Sequence, residues 1–229
     1  MAKQTEQNDG VRRALFFEME TVALGARRIR FEVLKRILQE QRIGLEPVEF
    51  SRWCLGSPDA YMESFLARKG YDLSTPAQVA ERLRGETLSR LMQKDCLMNP
   101  DLVPWLDQAL ASHANIAAIT ALPQEPAEAI AQRLHFEKWG VQVVACGENR
   151  SYRHPETWIS AAAHVGRSPQ ASLAIVTGAD FAEASLMAGF AVVAVPDEFT
   201  EFQDFSGVLR VCSSLKDATF DECKLQSNY

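Results

Sequence analysis

The sequence is short of the features that would place it in an oxidising compartment, in a bilayer or on nucleic acid. Its five cysteines (Cys54, Cys96, Cys146, Cys212 and Cys223) are odd in number, scattered, and nowhere spaced C-x-x-C. That pattern argues against a disulfide framework or a zinc ribbon, and leads us to expect reduced, mostly buried thiols in a cytoplasmic protein. The first ten residues, MAKQTEQNDG, have no apolar stretch of the kind a secretory signal carries. The most apolar long stretch, residues 173–196, is broken by Asp180, Glu183 and two glycines, so it reads as strand, helix and strand rather than a membrane span. Positive charge is in deficit: 24 Lys and Arg against 30 Asp and Glu leave a net charge of -6. We therefore expect neither a nucleic-acid partner nor a membrane one, since both ask for a basic face. Arg27, Arg28 and Arg30 form one local basic cluster, which reads as a solvated helix face. The four histidines (His113, His135, His154 and His164) have no metal-ligand spacing.

What is present is an ordinary globular composition over 229 residues, long enough to bury a sizeable core. Residues 14–18 form a short apolar strand of the fully buried type. From 27 to 41, Ile29, Val33, Leu34, Ile37 and Leu38 recur at helical spacing. A helix opens at Pro58 and stops at Gly70, and another starts at Thr75-Pro76, with a capping hydroxyl and a first-turn proline. No strand is evident between the first one and Lys94. Beyond Pro100 the pattern changes: helices at 102–111, 125–134, 156–165 and 182–188 alternate with strands at 116–120, 141–145, 173–177 and 191–195. Such alternation predicts an α/β fold, a Rossmann-like parallel sheet with helices on both faces. The first strand is expected to join that sheet. Residues 1–25 and 95–229 then form the core domain, and 26–94 an inserted all-helical cap above the carboxyl ends of the strands. Trp53 and Trp105 fall on apolar helix faces and are expected in the core.

The most informative segment is Phe16-Phe17-Glu18-Met19-Glu20-Thr21, an apolar run ending in two acids at alternate positions. Alternate residues of a strand face one side, so both carboxylates are expected to reach one site. Thr120 closes the next strand, and Val176-Thr177-Gly178 lies at the end of the strand at 173–177. With the helical insertion, these features resemble the haloacid dehalogenase-like (HAD) superfamily, in its helical-cap branch of phosphoglycolate phosphatases and β-phosphoglucomutases. The resemblance runs from about residue 13 to 218. It includes residues 167–175 (RSPQASLAI), Met187-Ala188-Gly189-Phe190, and the closing segment from Phe205-Ser206-Gly207 to Ser213-Ser214-Leu215.

The resemblance implies a hydrolase acting on a phosphate ester with Mg²⁺. It makes Glu18 the nucleophile and a metal ligand, Glu20 the acid/base and a second ligand, and Thr120 a holder of a phosphate oxygen. Family members carry aspartates at the first two positions and glycine where this chain has Thr21. Each glutamate is one methylene longer, and a misplacement of about 1 Å can cost roughly 100-fold in rate. The family's lysine position holds Tyr152, with Arg153 beside it and His154 in the same loop. The acids that complete the Mg²⁺ site are replaced by Val176 and Thr177, leaving Asp180 as the nearest carboxylate. Gly56-Ser57 resembles the cap's substrate-specificity loop. These departures suggest a degenerate site, on a scaffold that binds a small phosphate ligand or a protein partner. The alternative is a divergent hydrolase of a phosphomonoester, or a dehalogenase-like activity, using Glu18 as nucleophile.

Overall fold

The computed structural model describes residues 13–53, 58–69, 76–146 and 152–226. Strand β1 (Ala14–Glu18) is buried along its whole length, as its unbroken apolar sequence requires. It lies at the centre of a six-stranded sheet with β2 (Asn115–Thr120), β3 (Val141–Ala145), β4 (Ser172–Val176), β5 (Ala191–Ala194) and β6 (Arg210–Val211). The order is β3-β2-β1-β4-β5-β6, and every pairing is parallel. Successive side chains of β1 alternate between the sheet faces. Leu15 and Phe17 pack beneath helices α5 (Val103–Ala111) and α6 (Gln124–Arg133), while Ala14 and Phe16 pack against α7 (Pro155–His164) and α8 (Ala179–Met187). Trp105 is buried in the first of these layers, with its indole N–H donating to the Leu215 carbonyl at 2.9 Å. The expected parallel sheet covered on both faces is therefore what forms.

Between β1 and α5 the chain is helical. A π-helical turn (Met19–Ala23) leads through Gly25, at φ 60°, into α1 (Ala26–Gln39), then α2 (Pro47–Trp53), α3 (Pro58–Arg68) and α4 (Pro76–Leu91). This helical insert builds its own apolar cluster from Phe31, Leu34, Phe50, Phe65 and Leu83. One member comes from elsewhere: Phe199, in the loop after β5, sits 5.3 Å from the Phe31 ring and 4.9 Å from the Phe50 ring. The segments entering and leaving the insert are tied together, since the Asn99 N–H donates to the Ala23 carbonyl at 2.7 Å.

Three short elements lie outside the sequence expectation: α2, β6 and α9 (Phe220–Gln226). At seven residues or fewer, none is long enough to display a hydrophobic period. Helix α9 does carry a capping signature: Glu222 N–H donates to Thr219 Oγ1, and the Glu222 carboxylate accepts from Thr219 N–H. Cys146, Cys212 and Cys223 are buried and Cys96 is half-buried, none of them in a disulfide. All four histidines are exposed. Cys54, Gly56, Ser57, Gly70 and Thr75 lie outside the described residues, as does the side chain of Trp53. Among the described residues no helix is long and apolar enough to cross a membrane.

Because Phe199 is fully buried between two aromatic rings of the insert, Phe199→Ala should lower stability by about 3–5 kcal/mol. Urea denaturation is the measurement, and a loss below about 1 kcal/mol would show that the ring is not an anchor.

Candidate functional site

In a doubly wound sheet, ligands bind at the carboxyl ends of the strands where the strand order reverses. Here that point lies beside β1, whose neighbours are β2 and β4, and it holds both glutamates. Strand β1 stops at Glu18, so Glu20 is not its alternate partner on a strand but belongs to the π-helical turn. The two carboxylates consequently part, one towards β4 and the other towards β2.

Glu18 is fully buried. Its Oε1 accepts from the Thr177 backbone N–H at 3.0 Å, and its Oε2 accepts from Thr177 Oγ1 at 2.6 Å and from Thr21 Oγ1. Glu20, partly buried, accepts at Oε1 from Thr120 Oγ1 at 3.0 Å and from the Ala121 N–H at 2.9 Å. The Tyr152 hydroxyl donates to the same carboxylate, 2.9 Å from Oε2 and 3.1 Å from Oε1. Tyr152 is itself held by its backbone carbonyl, which accepts from Trp158 Nε1 at 2.7 Å, and by edge-on packing against Phe181.

Burial pushes the proton affinity of both carboxyls up. For Glu18 the positive charge of Arg27 and the bonds from Thr177 and Thr21 oppose that rise without cancelling it. For Glu20 the opposition comes first from Tyr152. Desolvation is thus the leading cause for both. The Tyr152 phenol is driven well above its ordinary range by burial and by the adjacent Glu20.

The other expected site residues divide. Thr21, Thr120, Tyr152 and Thr177 gather around the two carboxylates. Arg153 and Asp180 stand to one side as a pair, Nε to Oδ2 2.8 Å, with Asp180 about half exposed. The basic-cluster expectation fails for Arg27, which is only 8% exposed. Its Nη1 donates to Asp197 Oδ2 at 2.9 Å and to the Thr177 carbonyl at 3.4 Å. Arg28 remains on the surface, paired with Glu198 at 2.6 Å. Sequence reasoning missed Arg27, Asp197 and Thr200, whose hydroxyl donates to the Thr177 carbonyl at 2.7 Å. A signal for Arg27 existed: it precedes Phe31, Leu34 and Leu38 by four, seven and eleven residues, on the buried stripe of α1. A cavity of about 290 Å³ opens beside the site, with Thr21, Gly25, Thr177 and Asp197 in its walls.

Magnesium needs near-octahedral oxygen donors with lone pairs to spare. In this site the oxygens of Glu18 and Glu20 already accept hydrogen bonds from six protein donors. Among the described residues no group of three or more acids, histidines or cysteines converges as a metal site would require. The residues present do not fit Mg²⁺.

The fold, an α/β core with a helical cap, is of the HAD-like type. No protein-family pattern matches the sequence, and no curated protein does either. Solved structures match the fold throughout. A HAD hydrolase of family IA, variant 3, from Entamoeba histolytica superposes with a TM-score of 0.73 at 16% identity, covering 95% of this chain and 100% of its own. The β-phosphoglucomutase of Clostridium difficile gives 0.72 at 14% identity, covering 95% and 97%. CbbY from Rhodobacter sphaeroides, in complex with xylulose-(1,5)bisphosphate, gives 0.72 at 14% identity, covering 89% and 94%. At these identities the likeness establishes the fold alone.

The raised proton affinities carry a pH signature. Both carboxyls hold a proton more tightly folded than unfolded. Their contribution to stability is therefore complete below the ordinary value of 4.5 and is lost as pH rises through the folded values. Glu20→Gln, which keeps an oxygen for Thr120 and Ala121, should gain stability relative to the unmodified chain as pH rises. Paired urea melts at pH 5 and pH 8 measure the difference; an equal difference at both would contradict the assignment.

Proposed function

We propose that this chain is a HAD-fold scaffold whose pocket is closed by its own side chains and does not carry out Mg²⁺-dependent phosphoryl transfer. The observation that carries this reading is the hydrogen bonding of Glu18: Thr177 and Thr21 donate to both of the oxygens that a nucleophile would direct at a phosphorus atom. In-line attack requires a free lone pair about 3 to 3.5 Å from the reacting centre. The Glu20 carboxylate supports the same reading, because it takes the Thr120 hydroxyl that the HAD resemblance assigns to a phosphate oxygen. What remains is a cap-and-core body, suited to binding a small phosphate ligand or a protein partner. CbbY was solved with a sugar bisphosphate bound, which makes phosphorylated sugars the first small ligands to try. The cellular setting we propose is the cytoplasm, in keeping with the free thiols.

One observation favours a second reading, a divergent phosphomonoester hydrolase with Glu18 as nucleophile and Glu20 as acid/base. A carboxyl with raised proton affinity suits a general acid, and Glu20 has one. Assay of a phosphomonoester panel, with and without Mg²⁺ and beside Glu18→Gln, separates the two. We expect no turnover above the Glu18→Gln control in either condition. Turnover abolished by that substitution would make Glu18 a working nucleophile and end the scaffold reading.

A further inference from the structure

We infer that Arg27 is a resident cation standing where the HAD resemblance places a divalent metal, and that it pins the first cap helix to the core by doing so. The inference deepens the closed-pocket reading and rests on it. Its guanidinium lies among oxygens from the ends of separate strands. Thr177, just after β4, offers its carbonyl at 3.4 Å, and Asp197, beyond β5, offers a carboxylate at 2.9 Å. Glu18, at the end of β1, is held by the N–H and hydroxyl of the same Thr177 and feels the charge of Arg27 more than any other charge.

The oxygens that Arg27 contacts, one carboxylate and one carbonyl, are of the kind that hard divalent cations prefer. Arginine satisfies them without a metal, through its planar fork of donors and a charge that survives burial. The surroundings are shaped to the guanidinium. Phe181 presents its ring 5.9 Å from Arg27 Cζ. Asp197 is held in place by the Phe199 N–H at 3.0 Å and the Thr200 hydroxyl at 3.1 Å. Gly178 leaves the room: a Cβ there would lie 3.1 Å from Arg27 Nη2. Any side chain at that position, just past the end of β4, would compete with Arg27 for space.

The position of Arg27 also has a mechanical side. It lies on α1, in the helical insert, while Thr177 and Asp197 belong to the core. The two residues following Asp197 continue the attachment: Glu198 pairs with Arg28, and Phe199 enters the aromatic cluster of the insert. A bound metal leaves when chelated, whereas this cation is covalently part of the cap.

The full chain is titrated with MgCl2 by calorimetry, and its melting temperature is followed at matched ionic strength. The unmodified protein should give no binding heat and no shift at millimolar Mg²⁺. Arg27→Ala, which leaves Glu18 and Asp197 without their cation, should melt on the order of 10 °C lower, and Mg²⁺ should restore part of that loss. Arg27→Lys, which keeps the charge, should retain most of the stability and stay indifferent to Mg²⁺. Stabilisation of the unmodified protein by Mg²⁺ would overturn the inference. So would an alanine variant of undiminished stability or one unresponsive to Mg²⁺, or a lysine variant as impaired as the alanine one. If Arg27→Ala does not fold, the unmodified protein and the lysine variant still decide. Hydrolysis without any response to Mg²⁺ would end the closed-pocket reading and leave Arg27 in its role. Mg²⁺ binding without hydrolysis would do the reverse.

Discussion

The structure turns on the burial of a carboxylate at the end of an apolar strand. Glu18 follows four fully buried residues and is itself without solvent contact. An ionised group in that position costs several kcal/mol unless it is paired and hydrogen-bonded. The neighbourhood is organised to meet that demand. Thr177 donates twice, Thr21 donates once, and Arg27 brings the charge. Taken together they form a consistent polar network in which each donor has an acceptor.

Such a network trades reactivity for order. A nucleophilic carboxylate has to keep an unshared pair exposed to its target, and a metal site has to keep oxygens unprotonated and unbonded. Here the hydroxyls of Thr21, Thr120, Thr177 and Tyr152 donate to those oxygens. A buried network of this kind is worth most when complete, because one unpaired member in a low-dielectric interior is expensive. The two glutamates therefore belong as much to the account of stability as to that of chemistry.

Much of the fold could be read in advance because its signals are periodic. The unbroken apolar run of β1, the alternation after Pro100 and the helical stripe of α1 each repeat often enough to leave little choice. The gathering of Thr120, Tyr152 and Thr177 about the glutamates was legible through the HAD resemblance, which places all three at the pocket. Two things were not. The direction of Glu20 is set by a π-helical turn, which has no sequence period of its own. The role of Arg27 depends on Asp197, whose approach is decided by the packing of β5 rather than by any local pattern. The arginine's place on an apolar stripe was visible, but a charged residue there also suits a long side chain that reaches out to water.

The ring of Phe199 has a consequence for synthesis. The helical insert is made early, yet its aromatic cluster lacks a central member until the loop after β5 has left the ribosome. Until then Phe31 and Phe50 face a gap, and the insert is a partly finished body with exposed apolar surface. Contacts between residues so distant in the chain also slow folding, because loop closure precedes the gain from packing. The cap is thus a late structure built from early residues, and its completion doubles as a check that the core beneath it has formed.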